Sequence, residues 1–341
     1  MKKNILALAV ATAMTAPIVM AEEVKVDAPK VYGQINVAIS SVTDLGMKTY
    51  DRDSRLGVKG SQDLGNGLKG VYQMEFGTKV GDALGTISGR NAVVGLAGSF
   101  GTVLVGRHDT PFKMSQPKDL FGDATNGDMG KDAMAGNLGR GAAGEDRVDN
   151  MLAYMSPEFG GVKLIVAGVS NLALNDGTTP ENEAETEDSL TNAISTSITY
   201  GSTKKGIYAA VAYNTFAAET NANQKAYTEM RVSAQYAEAG LIANVVYQTF
   251  DDGASTDGAS EGSNIQIGVA YKMGNLMPKL KYSMVDRASD LLEDGTTMAF
   301  GVDYSIGKKT TAYVEYVSAD KNMMGNADGL TDVSVGIVHK F

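Results

Sequence analysis

The sequence predicts an all-β fold, an antiparallel barrel of sixteen strands. Three observations predict it. Stretches of about ten residues alternate apolar with polar or small side chains, the period of a strand whose two faces meet different surroundings. The connectors between these stretches run long, short, long, short along the chain. Composition agrees: 40 glycines against 7 prolines suit many tight turns, and no internal run of 18 apolar residues could form a spanning helix.

The elements follow in order. Met1-Lys2-Lys3 is a positive start, 5–19 is a short apolar core, and Val19-Met20-Ala21 is a small-residue cleavage site. Residues 1–21 are therefore expected to be a signal peptide cut after Ala21, leaving 22–341 as the barrel. The formal net charge of −10 then becomes −12, because Lys2 and Lys3 are lost. VYGQINVAIS (31–40) is the first strand, and the polar connector 43–53 follows it. In RLGVKGSQD (55–63), Leu56 and Val58 alternate with Arg55, Gly57 and Lys59. In LKGVYQMEF (68–76), Leu68, Tyr72, Met74 and Phe76 share one parity while Lys69, Gln73 and Glu75 take the other.

Between those two strands, Gly65-Asn66-Gly67-Leu68-Lys69-Gly70 spells G-x-G-x-x-G. A dinucleotide-binding loop needs a helix after it, whose N-terminus holds the phosphate. A strand follows here instead. Asn66-Gly67 reads as a hairpin turn, since both residues tolerate positive φ.

The remaining short connectors are 99–102, 156–161, 201–206, 237–240, 272–278 and 305–309. The long ones are 78–88, 112–145, 170–188, 217–224, 251–263, 286–296 and 318–330. Fifteen connectors in all separate sixteen strands. In the last strand Val333, Val335, Ile337, His339 and Phe341 share one parity, with Asp332, Ser334, Gly336, Val338 and Lys340 on the other.

A soluble sandwich has no reason to gather every long loop at one end. An outer-membrane barrel has: its periplasmic turns are short, its external loops long, and closure leaves no orphan backbone groups in hydrocarbon. Trp is absent, so Tyr and Phe must mark the membrane interfaces; Tyr72, Phe76, Tyr154 and Phe341 are the candidates.

Several function classes are disfavoured. An acidic chain lacks the basic surface that nucleic acid needs. Without Cys there is no disulfide framework and no thiol nucleophile. His108 and His339 stand far apart without neighbouring ligands, so no metal centre is expected. No Ser/His/Asp array is legible either, and neither a catalytic site nor a cofactor is expected.

Taken together, VYGQINVAIS (31–40), SRLGVKGSQDLGNGLKGVYQMEF (54–76), GRNAVVGLAGSFGTVLVGRHDTPF (89–112), RVDNMLAYMSPEFGGV (147–162) and SVGIVHKF (334–341) resemble the general trimeric porins of Gram-negative bacteria. The likeness covers the whole mature chain. It implies an outer-membrane homotrimer that lets ions and small hydrophilic solutes diffuse through a water-filled passage. It implies a third external loop, 112–145, folded into the barrel, and lipid and lipopolysaccharide around the outer wall. It also implies that the terminal Phe341 is read by the outer-membrane assembly machinery.

The resemblance places wall residues at the narrowest point: Arg55, Arg90 and Arg147, the acid Glu75, and Lys59, the period-two mate of Arg55. Gln34 stands where enteric relatives often carry Lys. On the loop, Asp119 and Asp123 look like the family's acidic pair, with Asp128 and Asp132 behind them. A basic wall facing an acidic loop would set a transverse field, and with Gln34 in place the expectation is a non-specific or mildly cation-preferring channel. Plainer readings stay open: lumen charges away from the constriction for the wall residues, and loop-tip acids for Asp119 and Asp123. The direction of Arg107 is open too. ENEAETED (181–188) reads as a solvated external loop or a divalent-cation bridge to lipopolysaccharide.

Rival readings are a sugar- or anion-selective channel, a barrel enzyme, and an adhesin. The first would show lumen aromatics or a dense basic cluster, the second catalytic residues together at the rim.

Overall fold

The computed structural model describes residues 28–80, 87–122, 126–130, 147–170, 189–216, 227–251, 261–288, 293–324 and 329–341. The expected signal peptide, Asp123, Asp132 and ENEAETED lie outside them. The strands are β1 (Lys30–Val42), β2 (Gly46–Asp51), β3 (Arg55–Gly65), β4 (Leu68–Thr78), β5 (Ile87–Gly98), β6 (Gly101–Asp109), β7 (Arg147–Met155), β8 (Val162–Val169) and β9 (Ala193–Gly201). They continue with β10 (Gly206–Phe216), β11 (Tyr227–Glu238), β12 (Leu241–Asp251), β13 (Glu261–Tyr271), β14 (Leu276–Arg287), β15 (Gly295–Ser305), β16 (Thr310–Ala319) and β17 (Leu330–Lys340). Among the described residues, two single-turn helices, α1 (Pro111–Met114) and α2 (Lys321–Met324), sit in connectors.

Apart from β2 and β3, which both pair with β1, every strand pairs antiparallel with its sequence neighbours, and β17 returns to β1, from Gln34↔Lys340 to Val42↔Asp332. The sheet therefore closes without an exposed edge. Seventeen strands fill sixteen positions, because β2 and β3 are one stave in two pieces. β1 pairs with β2 over Val37↔Asp51 to Val42↔Gly46, then with β3 over Lys30↔Lys59 to Gln34↔Arg55. The break between them, 52–54, contains Asp53 at φ 64°.

This corrects the reading of 43–53 as a long connector. The reversal is tight, with Asp44 at φ 61° and Gly46 at φ 68°, and 46–51 is strand. Its Asp, Lys and Thr residues resemble a loop by composition, but neighbouring strand backbone outweighs so weak a local preference. The Asn66-Gly67 turn is as expected: φ is 52° and 76°, and strands flank it on both sides.

The faces separate cleanly. On β17, Val333, Val335 and Ile337 point out and are exposed, while Asp332 and Ser334 point in and are buried. Of the expected interface aromatics, Phe76, Tyr154 and Phe341 are exposed on the outer face. Tyr200, Tyr236, Tyr271 and Tyr304 join them, each beside a short turn, so aromatic rings mark that end of the wall. His339 shares the outward parity and contacts Thr310 Oγ1 through Nδ1 at 2.9 Å.

Inside, small residues make room for large ones. A Cβ on Gly57 would lie 2.4 Å from the Tyr32 ring, and one on Gly336 would lie 2.2 Å from Tyr313. Ala270, Ala299 and Val317 leave an apolar hollow in the inner wall, which Leu120 and Phe121 fill. That packing draws the segment after β6 across the interior.

Candidate functional site

The site begins with a bulge. Met74 pairs with Ala92 and Phe76 with Gly89, so Glu75 faces two residues, Arg90 and Asn91. A bulge re-aims side chains, and here both turn inward. Arg90 Nε donates to Glu75 Oε1 at 2.6 Å, and its Nη1 bonds Asp53. Asp53 also binds Arg55 Nη1, and Arg55 Nε lies 3.9 Å from Glu75. The stave break at 52–54 places Asp53 between the two guanidinium groups.

Around this core, Tyr32 donates to Glu75 at 3.0 Å and accepts from Gln73 at 2.7 Å. Gln34 Nε2 donates to the Asp53 carbonyl at 3.0 Å, and Lys59 Nζ sits 5.0 Å from the Tyr32 ring centroid. Gln34, Arg55, Lys59, Glu75 and Arg90 are thus brought together on one inner arc. Arg147 belongs to an adjoining network. Its Nε donates to Asn91 Oδ1 at 2.6 Å, and its Nη2 lies 2.9 Å from Asp109 Oδ1. Asn91 Nδ2 donates to Asp109 Oδ2 at 3.2 Å.

A second bulge, between Gly106 and His108, decides the direction of Arg107. Arg107 takes the outward parity of Val105 and pairs with Asp149 at 2.8 Å on the outer wall.

Asp119 behaves differently from the expectation. Its carboxylate accepts from the backbone N–H groups of Phe121 at 3.0 Å and Met129 at 2.9 Å, shaping its own segment. Asp128 accepts from Gly130 N at 2.7 Å. The arginines are met by wall acids instead, Asp53, Glu75 and Asp109.

The segment is held by its backbone. Lumen-facing donors on β10 to β14 capture its carbonyls one after another. Arg231 Nη1 reaches Phe112 O at 3.2 Å, Ser233 reaches Ser115 O at 2.7 Å, and Asn244 reaches Lys118 O at 2.9 Å. Lys279 reaches Leu120 O at 2.9 Å, Lys281 reaches Gly127 O at 2.6 Å, and Gln266 reaches Met129 O at 2.9 Å. Buried carbonyls need such donors. Arg231 also lies over the Phe112 ring, 4.3 Å from its centroid, and is 1% exposed. Thr110 caps α1 by accepting from Lys113 N at 3.1 Å.

Sequence reasoning missed Asp53, Asn91, Asp109, Arg231, Lys279 and Lys281. The last three carried a signal: they are charged residues at inward parity in otherwise ordinary strands. Another missed group closes the seam. Arg52 pairs with Asp332 at 2.9 Å, both fully buried, and Asn126 donates to the same carboxylate at 2.8 Å.

The family model described as Gram-negative porin matches residues 7–322. Major outer membrane protein P.IB of Neisseria meningitidis serogroup B is 29% identical over 308 residues, covering 87% of this chain and 86% of that protein. Major outer membrane protein P.IA of serogroup C is 26% identical, covering 86% and 83%. Among solved structures, an anion-selective porin from Comamonas acidovorans superposes with a TM-score of 0.73 at 20% identity, over 92% of this chain and 99% of that one. OmpT of Vibrio cholerae in a trimer form gives 0.64 at 16% identity, over 94% and 100%.

Proposed function

Because the chain belongs to the Gram-negative porin family, and is thus an outer-membrane channel for passive diffusion, we propose that its passage is narrowest where the described parts of the segment after β6, 112–122 and 126–130, face the Asp53–Arg55–Glu75–Arg90 cluster. One observation carries this reading. Wall donors on one side capture the backbone of 112–122 and 126–130, while on the other side paired charges project inward. A segment pinned across the interior divides the lumen, and the charges left beside the gap set its field.

We further propose that 1–21 is removed on export and that three subunits assemble, as in the trimer form of the Vibrio OmpT neighbour. Phe341 would then serve recognition by the assembly machinery, with lipid and lipopolysaccharide against the outer apolar face. No step of chemistry is needed: width and field select what crosses.

Refolding 22–341 in detergent and recording single-channel currents in a planar bilayer tests the function. Steady currents closing in three equal steps are the expected result. A folded barrel that passes neither ions nor a small sugar would overturn it.

A further inference from the structure

We propose that the short-turn mouth of the barrel is an anion-collecting vestibule for small multivalent anions, and that Lys118 hands them from the rim toward the constriction. This deepens the diffusion-channel reading and rests on it.

The cavity beneath the short turns has a volume of about 740 Å³ and is lined by ten basic and five acidic residues. Most of those acids are already engaged. Asp303 and Glu315 hold Lys279 at 2.8 and 2.7 Å, Asp53 is shared by Arg55 and Arg90, and Asp119 is bonded to its own segment's amides. Glu238 lies 4.0 Å from Lys205. Six lysines are left without a carboxylate partner among the described residues: Lys118, Lys204, Lys272, Lys308, Lys309 and Lys340.

Their placement gives the inference its direction. Lys204 is in the β9–β10 turn, Lys272 in the β13–β14 turn, Lys308 and Lys309 in the β15–β16 turn, and Lys340 ends β17. They form an arc at the short-turn end, which in outer-membrane barrels faces the periplasm. Lys118 lies deeper, on the pinned segment, with its side chain open to the cavity. Desolvation pushes its ammonium below the usual lysine range. Asp303 opposes that shift, while Lys340, Lys279 and Lys272 add to it. An anion beside Lys118 would relieve that repulsion.

The chain is acidic overall, so this arc stands against the net charge. Six unit charges at about 10 Å in water at physiological salt enrich a monovalent anion about threefold and a trivalent one about thirtyfold. The vestibule would therefore favour multivalent anions arriving from one side only.

The test uses citrate as probe on bilayer-inserted, refolded 22–341. Citrate is added to each compartment in turn during KCl currents. The expected result is a reduction of current from one side only. In K204Q/K272Q/K308Q/K309Q the apparent citrate affinity should fall about tenfold, since four of the six charges are gone. K118Q should lower it about twofold with the sidedness kept. Conductance in 1 M KCl, where charges are screened within about 3 Å, should be unchanged in every variant and reports an intact pore. Equal action of citrate from both sides, or variants that leave its affinity unmoved in open channels, would overturn the vestibule alone. Absence of any current would overturn the channel reading itself.

Discussion

Replacing Arg90 with Ala tests the wall cluster most directly. Asp53, Glu75, Arg55 and Arg90 sum to zero charge, and Arg90 is the member that bonds both acids. Removing it leaves one net negative charge beside the gap. An ion passing at about 7 Å in water then feels about 0.6 kcal/mol, halved to about 0.3 kcal/mol by 0.1 M salt. That favours a cation by about 1.7-fold and disfavours an anion equally, so the cation-to-anion permeability ratio rises about threefold. The assay is the reversal potential under a KCl gradient. Arg55→Ala should give a similar shift. Glu75→Gln should give the opposite sign, because it leaves the cluster positive. An unmoved potential in Arg90→Ala, or the same direction of shift in Glu75→Gln, would show that permeating ions do not sense this cluster and that the constriction lies elsewhere.

Three further outcomes are expected. Arg231→Met removes the carbonyl contact and the ring stacking that hold Phe112, a loss of about 3 kcal/mol; conductance should rise and protease should cut within 112–122 of the folded barrel. Asp332→Asn removes the negative charge that balances buried Arg52 at the β1–β17 seam and leaves it the neutral hydroxyls of Ser40 and Ser334, costing about 3 kcal/mol, which a lower thermal midpoint in detergent would report. Gly67→Val forces a β-branched residue to φ 76°, costing at least about 1–2 kcal/mol; the refolding yield should fall while the conductance of folded channels stays unchanged.

The inward face of the wall residues was legible because parity is legible: Arg55, Lys59 and Glu75 face inward as period two requires. Arg55, Glu75, Gln34, Arg90 and Arg147 were singled out through family resemblance, and the structure shows which partners each of them meets. The two-against-one bulge that turns Arg90 and Asn91 inward together leaves no mark in the alternation. Asp119 shows the opposite failure. An acid in a Gly-rich segment looks the same in sequence whether it faces a pore or caps its own backbone amides.

Alternating side chains, tight turns at every short connector and an apolar outer parity were enough to determine a closed sixteen-stave barrel from the sequence. Those are local properties, set by residues one or two positions apart. Tertiary structure alone decided which charges meet. Asp53 reaches Arg90 across 37 positions, Arg52 reaches Asp332 across 280, and Lys279 holds Leu120 across 159. Such contacts depend on ring closure and strand register, which bring distant residues to one height on the wall. No local pattern encodes that height.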